Sequence, residues 1–125
     1  MTAEHEPRCN VPTERDYTVS FVGGTAAVTK ELGKGVRTSY VSTGLVDLIW
    51  SGNESQPGIY VGLKGFGFRA TTAAQVKGYS VALGDYNVST RTVRLAIWDA
   101  RNNLVDLTST QRLCVTVLFV AENLP

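Results

Sequence analysis

Hydrophobic and polar residues alternate along most of this chain. In Tyr17–Val22, for example, Tyr17, Val19 and Phe21 fall on one side of an extended backbone and polar residues fall mainly on the other. A period of two is the signature of a β-strand. Segments with strand character are Tyr17–Val22, Thr25–Lys30, Val36–Val41, Leu45–Trp50, Ile59–Ala70, Tyr79–Tyr86, Arg91–Asp99 and Arg112–Ala121.

Turn-forming residues separate these segments. Gly23–Gly24 predicts a two-residue hairpin turn, because glycine adopts the positive φ that such turns require. Two further segments, Thr71–Lys77 and Asp106–Gln111, each predict a single helical turn. The other predicted turns and loops are Gly33–Gly35, Ser42–Gly44, Ser51–Gly58, Asn87–Thr90 and Ala100–Asn103.

Two of the strands have unusual patterns. Glycine interrupts Ile59–Ala70 at positions 62, 65 and 67, and glycine within a strand often marks a bulge. The segment Arg112–Ala121 is apolar on both faces. Such a strand is either central in a sandwich or has its second face covered by a partner.

The order of these elements predicts the fold class. About eight short strands without βαβ alternation favour an all-β fold, an antiparallel β-sandwich of jelly-roll-like type. A chain of 125 residues has the size of one domain, which we assign to residues 17–125. Residues 1–16 contain few apolar groups and are predicted to form an extended N-terminal arm.

Composition restricts the classes of partner. Charged residues make up 18% of the chain, below the average of about 25% for soluble domains, which suggests a surface covered by another chain. The net charge of +1 does not favour nucleic acid. Residues 1–15 lack the apolar stretch of a signal peptide, and no apolar run approaches the length of a membrane helix. We therefore expect a soluble protein made in the cytoplasm, without a membrane or nucleic-acid partner.

Few side chains are suited to catalysis. The single histidine, His5, lies in the arm, so neither a hydrolytic triad nor a zinc site is expected. Cys9 and Cys114 are interpreted as two free thiols, with a disulfide as the alternative. A pair drawn from Asp47, Asp85 and Asp99 would suit glycoside hydrolysis, although aspartate at strand ends ordinarily caps turns. We expect no enzyme activity, no catalytic residues, no metal and no cofactor.

Aromatic and arginine side chains are the remaining candidates for function. The aromatic residues of the strands fit a core, a subunit interface or a sugar-binding platform, and these alternatives stay open at this point. The arginines near the C-terminal hairpin fit intersubunit salt bridges or a solvated face equally well. The aromatic residues are Trp50, Trp98, Tyr40, Tyr60, Tyr79 and Tyr86, and the arginines are Arg91, Arg94, Arg101 and Arg112.

The order of these modules resembles that of a known class of viral protein. Val28–Val36 leads into Gly44–Trp50, and Lys77–Tyr86 leads into Val93–Asp99 before the closing strand Val115–Phe119. In this order the chain resembles small β-sandwich virion proteins of tailed bacteriophages, of the capsid decoration (cement) and head-fibre kind. The resemblance extends over Val28–Phe119, about three-quarters of the chain, and contains no diagnostic short motif.

The resemblance implies a structural protein on the outside of a capsid. The partners would be the major capsid protein and further copies of this chain, with a homotrimer favoured over a dimer. The alternative function is a receptor- or glycan-binding module of a phage fibre or lectin. A small hydrolase remains only if two carboxylates converge in a pocket. The candidate interface residues are Pro7, Val11, Pro12, Tyr17, Trp50, Tyr60, Phe66, Arg94, Trp98, Leu118 and Val120.

Overall fold

The structure, a computed structural model, describes residues 13–51 and 58–121. Predictions about residues 1–12, 52–57 and 122–125 lie outside the described residues. These include the candidate interface residues Pro7, Val11 and Pro12, as well as His5 and Cys9.

All of the predicted strands form, and several have the predicted bounds. The fourth and fifth strands match the sequence pattern at both ends, because polar or glycine-rich segments flank them on each side. The strands are β1 (Thr13–Gly24), β2 (Ala27–Leu32), β3 (Val36–Ser42), β4 (Leu45–Trp50), β5 (Ile59–Ala70), β6 (Ser80–Asn87), β7 (Thr92–Trp98) and β8 (Gln111–Ala121).

The strands form two antiparallel sheets that pack face to face. Sheet 1 has the order β2-β1-β8-β5, and sheet 2 has the order β3-β4-β7-β6. Each sheet contains hairpins of consecutive strands, and long-range pairing inserts β8 between β1 and β5 and β7 between β4 and β6. The predicted antiparallel β-sandwich is confirmed.

The core lies between the sheets and is built from alternate residues of the central strands. In β7, Val93, Leu95 and Ile97 are buried, as their shared face in the sequence predicts. In β8 the buried hydrophobic residues are Leu113, Val115, Val117 and Phe119, and Gln111 at the start of the strand is also buried. Burying each such hydrophobic side chain stabilises the fold by roughly 1.5–3 kcal/mol.

The two unusual strands fit their predicted roles. β8 is a central strand, paired with β1 on one side and β5 on the other. β5 contains register shifts between Tyr60 and Gly62 and between Leu63 and Gly65, so the predicted bulges are confirmed.

The first hairpin turn differs from the prediction. β1 continues through Gly24, and the turn falls at Thr25 and Ala26, where Ala26 adopts a φ of 47°. Gly23 is required for a different reason. A Cβ at this position would lie 2.1 Å from the carbonyl oxygen of Leu107. The prediction of a turn at Gly23–Gly24 is therefore wrong, and the glycine instead permits a close tertiary approach.

The segment between β7 and β8 is also not helical as predicted. Asp106 uses its carboxylate to hold the β3–β4 turn, accepting a hydrogen bond from the backbone N–H of Gly44 at 2.8 Å. Leu107 is buried against Gly23, and Gln111 begins β8. The other predicted helical turn is present as a short 3-10 helix at Ala73–Gln75.

β1 begins at Thr13, four residues before the predicted start of the sandwich domain at Tyr17. Thr13 pairs with Ala121, and Asp16 pairs with Leu118. Residues 13–16 therefore belong to sheet 1.

Candidate functional site

Trp50, a predicted interface residue, lies in the core. It is 4% exposed and packs edge-on against Tyr17, Tyr86 and Phe119, with ring centroids 5.6, 6.0 and 5.2 Å away. Edge-to-face pairs of this kind add about 0.5–1.5 kcal/mol beyond area burial. Trp50 and its half-buried neighbour Tyr17 hold the end of the sandwich together, and Trp50 is not available to a partner.

Tyr60 links the two sheets. Its hydroxyl donates a hydrogen bond to the carbonyl oxygen of Gly84 in β6 at 2.8 Å. Burial, and secondarily the negative charge of Asp85, raises the pKa of Tyr60. Tyr60, a predicted interface residue, therefore has a structural role, because it joins β5 of sheet 1 to β6 of sheet 2.

An apolar patch lies on the outer face of sheet 1, and we define it as Ile59, Val61, Leu118 and Val120. Ile59 and Val61 are each 56% exposed. Ile59 pairs with Val120, and Val61 falls in the bulge beside Leu118. The predicted residues Leu118 and Val120 thus meet two exposed residues that were not among the candidates. Period-two counting identifies Ile59, because it points away from the inward-facing Tyr60.

Phe66 is the predicted interface residue that is most accessible among the aromatic candidates. It pairs with Val115 but stays 45% exposed at the edge of sheet 1. Its neighbours Gly65 and Gly67 leave open space, since a Cβ at either position would meet no atom within 4 Å. Because paired residues share a face and Val115 is buried in the core, Phe66 lies on the inner side of β5 at the edge of the sheet, and not on the outer face that carries the apolar patch.

Charged side chains border the apolar patch. The Nζ atom of Lys64, in β5, lies 2.8 Å from Asp16 Oδ2 and 3.2 Å from Glu14 Oε1, both in β1. These bonds raise the pKa of Lys64. Because β8 separates β1 from β5, the Lys64 side chain crosses the outer face of β8. These charged groups therefore form a polar rim along the side of the patch that faces β1.

Arg94, a predicted interface residue on sheet 2, forms an ion pair within the chain. Its Nε and Nη2 atoms donate to the two carboxylate oxygens of Asp47 at 2.8 and 3.2 Å. The hydrogen bonds to Asp47 raise the pKa of Arg94. Arg112 similarly pairs with Glu31 at 2.9 Å. Both arginines therefore have partners within their own chain.

A polar groove of about 550 Å³ runs over the outer face of sheet 2 beside this ion pair. The sequence identified Asp47 and Asp85 as candidate carboxylates for glycoside hydrolysis, but it did not predict that both would line one groove. The bulge between Leu83 and Tyr86 determines this placement, and the alternation of polar and apolar residues in the sequence does not reveal that bulge. The lining residues are Asp47, Asp85, Asn87, Thr90, Thr92 and Arg94.

Trp98, the last predicted interface residue, lies on the same outer face as Arg94. It is half-buried and pairs with Ser80, while Ala96 and Ala82 occupy the row between Trp98 and the groove. Two residues along a strand span about 7 Å. Small side chains therefore separate the indole of Trp98 from the polar groove.

One of the two carboxylates that line the groove is held in an ion pair. Glycoside hydrolysis needs one carboxyl group as a proton donor and another as a base or nucleophile. Arg94 engages both oxygens of Asp47, which holds that group in an ion pair.

Asp99 caps a turn, as expected, accepting bonds from the N–H groups of Arg101 and Asn103. The backbone N–H of Asn103 is the main cause of the lowered pKa of Asp99.

Residues 13–51 and 58–121 contain no group of three or more histidine, cysteine, aspartate or glutamate side chains that would hold a metal ion. The same ranges contain no helix with the length and hydropathy needed to span a membrane. Cys114 is a half-buried free thiol on the outer face of β8.

Comparisons with known proteins do not assign the chain to a family. No protein-family model matches it, and neither does a curated protein or a solved structure.

Proposed function

We propose that the protein is a structural virion protein that binds the outside of a bacteriophage capsid. It acts there as a homo-oligomer and stabilises the contacts between major capsid subunits. The observation that carries the proposal is the apolar patch of Ile59, Val61, Leu118 and Val120 on the outer face of sheet 1, in which Ile59 and Val61 are each 56% exposed.

The position of the patch supports a role in assembly. Thr13, Gly58 and Ala121 lie together at this end of sheet 1, because Thr13 pairs with Ala121 and Gly58 lies beside the backbone of Val120. Residues 1–12, 52–57 and 122–125 therefore all join the described fold next to the patch. The points at which these three segments join the fold therefore lie at the same end of sheet 1 as the apolar patch.

The composition of this surface is typical of protein contacts. Interfaces commonly combine an apolar centre with a polar rim. Here Ile59 and Val61 form the centre, and Lys64, with Asp16 and Glu14, forms the rim. A stable contact buries about 800 Å² on each partner, so the patch would be the centre of a larger footprint.

Binding energy alone would supply the function. A protein that binds adjacent capsid subunits in the mature shell, and binds other states of the shell less well, stabilises the mature state by linkage. Expansion or rupture of the shell would then also break the contacts of each bound copy. This mechanism needs no catalytic residue.

Co-sedimentation with purified empty capsids tests the proposal. The unmodified chain should pellet with the shells and raise the temperature at which they rupture. Ile59→Glu should weaken binding by about tenfold or more, because the patch lies in the contact between copies on which binding of the shell by the homo-oligomer depends, and one central interface residue can contribute more than about 1 kcal/mol. Val76→Glu is the matched control, because Val76 is equally exposed but lies outside the patch. A chain that neither pellets with shells nor changes their rupture temperature would refute the proposal.

A second candidate function, glycan binding, is favoured by the polar groove. Aspartate, asparagine and arginine side chains form directional hydrogen bonds with hydroxyl groups. Asp85 and Asn87 line the groove, and Trp98 lies on the same face, separated from it by alanines. An aromatic ring on the same face as a polar groove suits a sugar chain long enough to reach both.

A glycan array followed by titration tests this second function. Asp85→Ala and Asn87→Ala should each reduce affinity for any glycan that binds, by about fivefold or more per lost hydrogen bond. Lys34→Ala, at an exposed turn, should leave affinity unchanged. An array without a reproducible hit would remove this candidate.

A further inference from the structure

We propose that residues 1–12 of one copy lie on the apolar patch of a second copy of this chain. The inference rests on the homo-oligomer named in the proposed function, and it specifies which surfaces join the copies. Two observations carry it: where the N-terminal segment meets the sheet, and which face is left uncovered there.

The N-terminal segment begins beside the patch. Thr13 pairs with Ala121 in the terminal row of sheet 1, and the next row on the outer face runs Glu14, Val120, Ile59. Residue 12 joins the sheet at Thr13, which is one row away from two members of the patch, Val120 and Ile59.

The patch needs an apolar occupant. Ile59 and Val61 are each 56% exposed, and no residue among positions 13–51 and 58–121 covers them. Removing such side chains from water is favourable by about 25 cal/mol for each Å² buried. The N-terminal segment carries suitable residues, namely Met1, Ala3, Pro7, Val11 and Pro12.

The length of the segment is sufficient. Twelve residues span at most about 40 Å when extended, whereas Ile59 and Val61 lie only two positions apart along β5. The segment is therefore long enough to leave its own sandwich and cross the patch of a neighbour.

The local sequence favours a neighbouring copy over the segment's own sandwich. β1 begins at Thr13, so a chain that continued the direction of β1 would leave the sheet at that end. Val11 precedes Pro12, and a residue before proline is restricted to extended conformations. To reach its own patch, the chain would have to reverse at Asn10 or earlier and then cross β8. In a two-fold pair, each segment instead meets the patch of the other copy, which closes the assembly.

The β5 edge is less suited to the alternative of strand addition between copies. Bulges between Tyr60 and Gly62 and between Leu63 and Gly65 interrupt its regular hydrogen-bonding edge. Bulges and an edge lysine such as Lys64 discourage pairing with another strand. The outer face, rather than the edge, is therefore the contact surface.

Native Cys9 provides a test by disulfide trapping in a mixture of two chains. The first chain keeps Cys9, and the second carries Cys9→Ser with Ile59→Cys; both carry Cys114→Ser. Under mild oxidation, any link between the two thiols must join different chains. We expect a covalent dimer on a non-reducing gel, with the link between positions 9 and 59 identified by peptide mass spectrometry.

The matched control replaces Ile59→Cys with Arg69→Cys, an exposed position on the same face of β5 at its far end. This mixture should give less than about a tenth of the covalent dimer, as tenfold corresponds to 1.4 kcal/mol of preference. Equal trapping at both positions, or no dimer, would overturn the inference. So would a single chain carrying Cys9 and Ile59→Cys that links internally while the mixture does not.

The outcome separates this inference from the proposed function, because the mixture contains no capsid. Trapping at position 59 by a chain that does not pellet with shells would support segment exchange and refute the capsid role. A chain that pellets with shells but shows no trapping would support the capsid role and refute segment exchange. Light scattering adds a second readout: deletion of residues 1–12 should convert the oligomer to a monomer.

Discussion

The hydroxyl of Tyr40 donates a hydrogen bond to the carboxylate of Asp106 at 2.9 Å, joining residues 66 positions apart. The other oxygen of Asp106 accepts from the backbone N–H of Gly44 at 2.8 Å. One side chain thus fixes the β3–β4 hairpin to the connection between β7 and β8. Because that connection leads into β8, the position of the central strand of sheet 1 depends partly on this contact.

Asp106→Ala should destabilise the fold by about 1–3 kcal/mol, because it leaves two part-buried donors without their acceptor. Urea unfolding followed by tryptophan fluorescence measures this change. Asp85→Ala is the control, since Asp85 is an exposed carboxylate in the same fold, and its effect should stay within about 0.5 kcal/mol. Equal losses in the two variants would contradict the assigned role of Asp106.

Stability should fall at alkaline pH through Tyr40. Burial, and next the hydrogen bond to Asp106, raises the pKa of Tyr40 above its ordinary value of 10.0. A raised pKa in the folded state means that the contribution to stability is complete below pH 10 and is lost as the pH rises through the folded pKa. Unfolding free energies should therefore stay level from pH 8 to about pH 10 and decline above it, and those of Tyr40→Phe should decline less. Identical pH profiles would exclude this assignment.

Gly23 and Gly24 should respond very differently to alanine. A Cβ at Gly23 would lie 2.1 Å from the carbonyl oxygen of Leu107, whereas at Gly24 the nearest atom would be 3.8 Å away. Overpacking typically costs about 1–3 kcal/mol, and backbone overlap costs more. Gly23→Ala should therefore lose about 3 kcal/mol or more, while Gly24→Ala should lose less than about 1. Chemical denaturation compares them, and similar losses would show that the approach of Leu107 is not restrictive.

Tyr86 and Tyr60 allow an unpaired buried hydroxyl to be compared with a hydrogen-bonded one. The hydroxyl of Tyr86 is buried without a hydrogen-bond partner among the described residues, whereas that of Tyr60 donates to Gly84. Removing an unpaired buried hydroxyl is neutral or stabilising, while removing a paired one costs about 1 kcal/mol. Tyr86→Phe should therefore raise or preserve the unfolding free energy, and Tyr60→Phe should lower it. The reverse order would mean that Tyr86 has a partner.

The candidate site was only partly predictable. The two-sided apolar pattern of β8 identified Leu118 and Val120, because alternation alone places them opposite the buried Val117 and Phe119. Trp50 was a reasonable candidate by composition, yet it is a core residue. An indole has the same hydrophobic character in both settings, and only its packing partners distinguish them.

The sequence by itself determined the class of the fold and most strand bounds, because a period of two and flanking turn residues are local properties of the chain. It also identified the bulged strand, since the glycines of β5 mark it directly. Tertiary structure decided which strands became neighbours, and hence that Ile59 meets Val120 and that Lys64 reaches Asp16 across β8. It likewise decided that Gly23 serves the approach of Leu107 instead of a turn. The physical reason is that a local pattern specifies which face of a strand is buried, whereas a contact surface depends on strand order and register between segments distant in the chain.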